Sequence, residues 1–261
     1  MTRLLRELGF SYRYVGTSQI DSGALADYRV LFLPCSLCLS DETLKQIHDF
    51  VQRGGVVVAD IGTGATDEHG KPVPKRKLVE GLFGVSRQAV CRKVEPNGLT
   101  GTGRGNVQIP KGLKLAGMDA IATGADFAAV HQDKTPAIVV NRIGKGQAIY
   151  LNGLLGYNMP SRALVRQLLS SAGVSTPLRI TSGGSERMGY ECATFRRGNI
   201  EVLGILRLRD EQSPTDVKLG EAKHLYDVRA GKYLGLTDTA RLDLTQKAAA
   251  VLAVMPHEIA A

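Results

Sequence analysis

Apolar and polar positions alternate along this chain in two different rhythms, and the change between them falls near residue 178. In the first part the periodicity switches between that of buried strands and that of amphipathic helices. Leu4, Leu5 and Leu8 share one helical face, which Gly9 ends. Phe10 to Val15 reads as a short strand, and Val30-Leu31-Phe32-Leu33-Pro34 as a strand too apolar for a half-exposed sheet. Ser40 caps a helix whose inward stripe is Leu44, Ile47, Phe50 and Val51, and Asp41 and Glu42 suit its N-terminal dipole. Gly54-Gly55 stops that helix, and Val56-Val57-Val58-Ala59 follows as a buried strand. A β-α-β order of this kind implies a parallel sheet with right-handed crossovers.

The pattern is weaker over residues 65–115, where Lys77 to Phe83 forms a short helix. Farther on, Pro136–Arg142 and Gln147–Leu151 flank Ile143-Gly144-Lys145-Gly146, which is a hairpin signal. A helix from about Pro160 buries Ala163, Leu164, Leu168 and Leu169 and closes at Gly173. Beyond residue 178, seven short β-rich runs recur: Met188–Phe195, Glu201–Arg207, Thr215–Leu219, His224–Val228, Lys232–Leu236, Ala240–Leu244 and Ala248–Met255. Turn signals between them suggest a small antiparallel β-sandwich. The expected organisation is an α/β domain over residues 1–177 and a β-sandwich domain over 178–261.

A chain of 261 residues has room for both domains. Its 43% hydrophobic and 22% charged content is that of a globular protein. The N-terminal run reads as a charged amphipathic helix, without the apolar core of a signal peptide, and no apolar run is long enough to span a bilayer. Cys35, Cys38, Cys91 and Cys192 do not resemble a disulfide framework. A reducing cytoplasm is therefore the expected location. The net charge of +8 lies wholly in residues 1–180, which hold 22 Lys and Arg against 14 Asp and Glu. The densest basic cluster, Lys71 to Lys77, has no aromatic neighbour to stack a base and reads as an exposed loop, so nucleic acid is not an expected partner.

Candidate chemistry concentrates after the strand at Val56–Ala59. The run Asp60-Ile61-Gly62-Thr63-Gly64 is a tight glycine turn. Class I glutamine amidotransferase-like domains carry their nucleophilic cysteine within a Gly-x-Cys-x-Gly pattern on such a turn. This run resembles that pattern with Gly62 at the nucleophile position. Glycine has no side chain to act with, and the strand at Ala148–Asn152 leads into Gly153–Tyr157 without the later histidine and carboxylate. Asp60, at a strand end, is a candidate acid, although a structural role at the turn is the simpler reading. Asp67 and Glu68, next to His69, are weaker acid candidates, because adjacent residues rarely converge on one ion or bond. Cys35 and Cys38 form a CxxC after a strand, a redox candidate without the further ligands of a zinc site. The glycine-rich run Gly98–Gly105 lacks the strand-to-helix setting of a phosphate loop. No metal and no cofactor is expected.

Longer stretches carry a second resemblance. Ser22–Pro34, Leu39-Ser40-Asp41 with Phe50–Gly55, Thr63–Gly70 and Asn141–Asn152 are similar to the middle domain of family 42 glycoside hydrolases, the β-galactosidase type. Tyr226–Gly235 resembles a hairpin of that family's C-terminal β-domain. The resemblance implies an amidotransferase-like, flavodoxin-like domain that mediates trimerisation. Two departures stand out. Nothing here corresponds to the TIM barrel that bears the family's catalytic carboxylates, and the chain opens at the first helix without the central strand that normally precedes it. The reading is thus a fragment, or the product of a gene that lost its barrel. Its expected function is a non-catalytic oligomerisation or interaction module, with self-association, a trimer first, or a glycosidase catalytic domain as partner. The alternative is a glycan-processing hydrolase or a carbohydrate-binding accessory protein; carbohydrate stays open as a ligand, although Trp is absent and aromatics are 5%.

Overall fold

A computed structural model describes residues 1–92, 97–208, 214–245 and 248–259. Contacts divide the chain into two compact units. One holds Tyr14–Val174; the other holds Ser175–Ala261 together with Thr2–Arg13.

The first unit contains α2 (Thr17–Asp21), β1 (Val30–Leu33), α3 (Asp41–Gln52), β2 (Val56–Ala59) and α4 (Lys77–Phe83). There follow β3 (Val85–Arg92), β4 (Asn97–Gly98), β5 (Thr100–Gly101), β6 (Lys114–Ala116), β7 (Met118–Ala122) and β8 (Asp126–Val130). Last come β9 (Pro136–Ile143), β10 (Gly146–Leu151), β11 (Leu154–Leu155) and α5 (Met159–Ser171). The main sheet has the order β1-β2-β10-β9-β8-β5. β1, β2 and β10 are parallel, and β10 then pairs antiparallel with β9 through the expected hairpin. The sheet is therefore mixed, not wholly parallel. Its β-α-β half and its β9–β10 hairpin follow the sequence reading; β8, which extends the antiparallel half by pairing with β9, was not announced by local pattern.

Strand alternation divides the core. Val57 and Ala59 of β2, with Ala148 and Tyr150 of β10, pack against Leu44, Ile47 and Phe50 of α3 and Val79, Leu82 and Phe83 of α4. Val56, Val58, Ile149 and Leu151 point the other way, against Leu164 and Leu168 of α5. All four residues of β2 are buried, as its unbroken apolar run required. Ser40 caps α3 by accepting from the Thr43 N–H at 2.9 Å, and Asn158 caps α5 by accepting from Ser161 at 2.9 Å. The turn into β10 depends on Gly146: a Cβ there would lie 2.2 Å from the carbonyl oxygens of Gly55 and Val51. Two local expectations fail. Phe10–Val15 forms no strand, and β1 is an edge of its sheet. In the basic cluster, Arg76 is buried rather than exposed. It donates to the Leu39 and Thr66 carbonyls at 2.8 and 3.1 Å and pairs with Asp41, so part of that cluster clamps loops together.

The second unit contains α1 (Thr2–Glu7), β12 (Leu178–Ser182), β13 (Ser185–Glu186), β14 (Tyr190–Arg197), β15 (Ile200–Arg207), β16 (Thr215–Asp227), β17 (Lys232–Leu242) and β18 (Ala250–Met255). The strands make one seven-stranded antiparallel sheet, β13-β12-β16-β18-β15-β14, with β17 on β16. Four of the short runs expected from sequence are two long strands. Thr215–Leu219 and His224–Val228 belong to β16, while Lys232–Leu236 and Ala240–Leu244 belong to β17. Register shifts between Lys218 and Lys223, and between Leu225 and Tyr226, break the period-two alternation and imitate strand ends. The sheet curls around one core that takes Leu178 and Ile180 from β12, Cys192 from β14, Leu203 and Ile205 from β15, and Leu252 from β18. α1 lies against β14 in the same unit. There the Thr194 hydroxyl donates to the Gly9 carbonyl at 3.1 Å, and Glu7 accepts from the Gly189 N–H at 2.8 Å.

Candidate functional site

The parallel strands bring Cys35, Asp60 and the Gly62 turn to one end of the main sheet, since Cys35 follows β1 and Asp60 follows β2. Cys35 takes a left-handed backbone conformation, φ 46°. Its N–H donates to Asp60 Oδ1 at 2.6 Å. The Asp60 side chain therefore ties the two strand ends together. It does not cap its own turn: the Gly62 N–H goes instead to Asp119 Oδ2 at 2.8 Å.

Asp119, on β7, is the residue the sequence reading missed. It is buried, and its second oxygen accepts from the Tyr150 hydroxyl of β10 at 2.6 Å. Its own N–H donates to Asn152 Oδ1 at 3.0 Å. Asn152 accepts also from the Ala120 N–H at 3.1 Å and donates to the carbonyls of Ala120 and Pro136, both at 2.8 Å. A buried amide that uses both its ends in this way fixes its neighbours firmly. The only sequence signal was a lone polar residue, Asp119 or Asn152, inside an apolar run.

Electrostatics separate the acids. Burial pushes the Asp60 carboxyl above its ordinary value, and the nearby Asp119 adds to that; the Cys35 N–H works against it. Asp67 moves the other way, chiefly because the Lys71 N–H donates to it. Asp67 Oδ1 accepts from the N–H groups of both His69 and Lys71, at 3.0 and 2.8 Å. Its carboxylate is used on its own loop, in the manner of an Asx turn. Glu68 and His69 are exposed, 3.8 Å apart.

Gly62 has φ 84°, and a Cβ built on it would lie 2.5 Å from Leu37 Cδ2. The position at which the resemblance would put a thiol thus has a backbone suited to glycine and a leucine methyl above it. Cys35 and Cys38 are exposed, while Cys192 is buried. Cys38 Sγ lies 3.1 Å from the Thr66 hydroxyl. The Cys91 side chain lies outside the described residues. Among the described residues no three His, Cys, Asp or Glu side chains gather as a metal site, and no helix is long and apolar enough to cross a membrane. A cavity of about 420 Å³ opens at the other end of the sheet, beside Val56, Arg142, Lys145 and Gly146.

These features define a class: a mixed α/β unit with a hydrogen-bonded carboxylate and amide network at its strand ends, and a curled antiparallel β-unit. The chain belongs to the β-galactosidase trimerisation domain family, whose model matches residues 19–175. It is 27% identical over 168 residues to the β-galactosidase BbgII of Bifidobacterium bifidum, a match covering 57% of this chain and 23% of that protein. Among solved structures, the fold resembles the family 42 β-galactosidase Gan42B of G. stearothermophilus, with a TM-score of 0.75 and 20% identity over 97% of this chain and 35% of that one. It also resembles the β-galactosidase of Bacillus circulans sp. alkalophilus, with a TM-score of 0.76 and 17% identity over 96% of this chain and 36% of that one. Both units therefore have structural counterparts in family 42. The chain spans between a quarter and about a third of the length of these relatives.

Proposed function

We propose that this chain is a non-catalytic self-association module, trimeric through its α/β unit, of the kind that accompanies a β-galactosidase catalytic domain. The observation that carries this reading is the family match across residues 19–175, because that family is described by trimerisation. In this reading the α/β unit is a flavodoxin-like, amidotransferase-derived domain, the curled β-unit is a small sandwich, and Gly62 marks the lost nucleophile. Support for that loss is chemical: position 62 offers no side chain, and the groups around it, Asp119 and Asp60, are engaged in holding backbone N–H groups. The four scattered cysteines, which do not resemble a disulfide framework, fit a reducing compartment. Sedimentation equilibrium tests the proposal. A mass three times the 28.0 kDa chain is expected, and a strict monomer at all concentrations would overturn it.

A second reading, a glycan-processing hydrolase, has one observation in its favour: Asp60 sits at a strand C-terminal end with its carboxyl raised by burial. Chromogenic glycosides test it. Turnover abolished in Asp60→Asn would establish it, and no turnover at any pH would remove it.

A further inference from the structure

The cavity of about 420 Å³ at the opposite end of the main sheet from Asp60 lies wholly within the first unit, and strand register builds it. Val56, Gln147 and Arg142 are paired across β2, β10 and β9. Residues paired in this way point to one side of a sheet, here the side that packs on α5. The row lines the cavity together with Ser171 at the end of α5, Asn106, and Lys145 from the β9–β10 turn. That turn is pinned to the end of α3. The Lys145 N–H donates to the Gln52 carbonyl at 3.1 Å, and the Gln147 N–H to the Gly55 carbonyl at 3.3 Å. The approach is so close that a Cβ on Gly144 would lie 2.5 Å from the Gln52 carbonyl oxygen. Lys145 and Arg142 are therefore presented from a fixed backbone, not from a loose loop.

Charge narrows the ligand. Arg142 and Lys145 line the cavity, and no aspartate or glutamate does. Neither cation has an ion pair among the described residues. Helix C-termini disfavour an anion through their open carbonyls, but those at this end are engaged. Gln52 accepts from Lys145, Leu169 from Ala172 and Val174, and Ser170 from Gly173. A guanidinium offers a planar fork to two oxygens of a phosphoryl group, and a lysine adds a point charge. The amides of Asn106 and Gln147 both give and take hydrogen bonds, as hydroxyl groups require. The volume falls in the range of small-molecule sites, about 300–1,000 Å³, which leaves room beside a bare ion. We propose that this cavity binds a phosphate monoester of a small hydroxyl-bearing molecule. Its phosphoryl group lies on Arg142 and Lys145, and its hydroxyl groups lie on Asn106 and Gln147. The positive excess of residues 1–180 draws such an anion to this unit. The site does not depend on self-association.

Titration calorimetry with glycerophosphate, inorganic phosphate and glycerol tests this, on the wild type and on the double variant Arg142→Met, Lys145→Met. The wild type is expected to bind glycerophosphate saturably, with Kd below about 1 mM. It should bind inorganic phosphate more weakly and glycerol not at all. The double variant is expected to bind glycerophosphate at least about tenfold more weakly. Both side chains are exposed, so the core is spared, and an unchanged urea midpoint verifies it. Lys75→Met with Lys77→Met, in the basic cluster outside the cavity, is expected to bind as the wild type does. No binding by the wild type overturns the inference. Binding that survives the double variant, or that falls equally with Lys75 and Lys77, means an adventitious ion only and also overturns it. Inorganic phosphate bound as tightly as the ester overturns the assignment to a monoester, because free phosphate would then account for the site.

Discussion

Replacement of Gly62 by alanine isolates the physical reason that glycine stands in the turn after β2. The backbone there has φ 84°, and a Cβ would meet Leu37 Cδ2 at 2.5 Å. Holding an L-residue in the left-handed region costs about 1–2 kcal/mol. The steric part adds little, because Leu37 is half exposed and its methyl can swing away. A total loss of about 1–2 kcal/mol is therefore expected, nearly all of it from the backbone. Urea unfolding followed by circular dichroism, at one fixed chain concentration because association adds to apparent stability, measures it. Repeating the substitution in a Leu37→Ala background separates the two parts. The loss should persist in that background. If it disappears with Leu37, the leucine and not the backbone excludes a side chain, and the reasoning fails; a loss below about 0.5 kcal/mol refutes both parts.

Other expectations concern the same network. Asp119→Ala leaves the buried Tyr150 hydroxyl and the Gly62 N–H without their acceptor, so a loss of about 2–4 kcal/mol is expected in the same unfolding assay; a loss under 1 kcal/mol would mean the network relaxes around it. Asp60 is easier to protonate in the folded chain than in the unfolded one, so its contribution falls as pH rises from 3.8 through the raised folded value. Asp60→Asn keeps an acceptor for the Cys35 N–H, and its stability relative to wild type should increase over that rise; parallel stability curves would contradict the assignment. Cys35 and Cys38 should react with a thiol reagent in the folded protein and Cys192 only on unfolding, as read by mass spectrometry of the labelled peptides. Arg76→Met removes donors to the Leu39 and Thr66 carbonyls and leaves Asp41 without its partner; a loss of about 1–3 kcal/mol is expected, and an unchanged urea midpoint would show that the loops do not need the clamp.

The amino-acid sequence by itself determined the β1-α3-β2 run, the β9–β10 hairpin and the helix at α5. In each, the information is local: an apolar period, a cap such as Ser40, a glycine stop or a glycine turn. It also marked Asp60 and Gly62, because a charged residue and paired glycines after a buried strand are visible without neighbours. The tertiary structure alone decided what those residues touch. Asp119 is 57 residues from the Gly62 N–H it accepts from, and no local pattern links the two. Phe10–Val15 has the composition of a strand, yet a strand needs a partner edge, and only the assembled sheet supplies or withholds one. The bulges of β16 imitate strand ends in one dimension while the strand continues in three. The aromatic residues are few by count, but register places Phe195, Tyr226 and Tyr233 in one row, and register is a property of pairing between strands far apart in the chain.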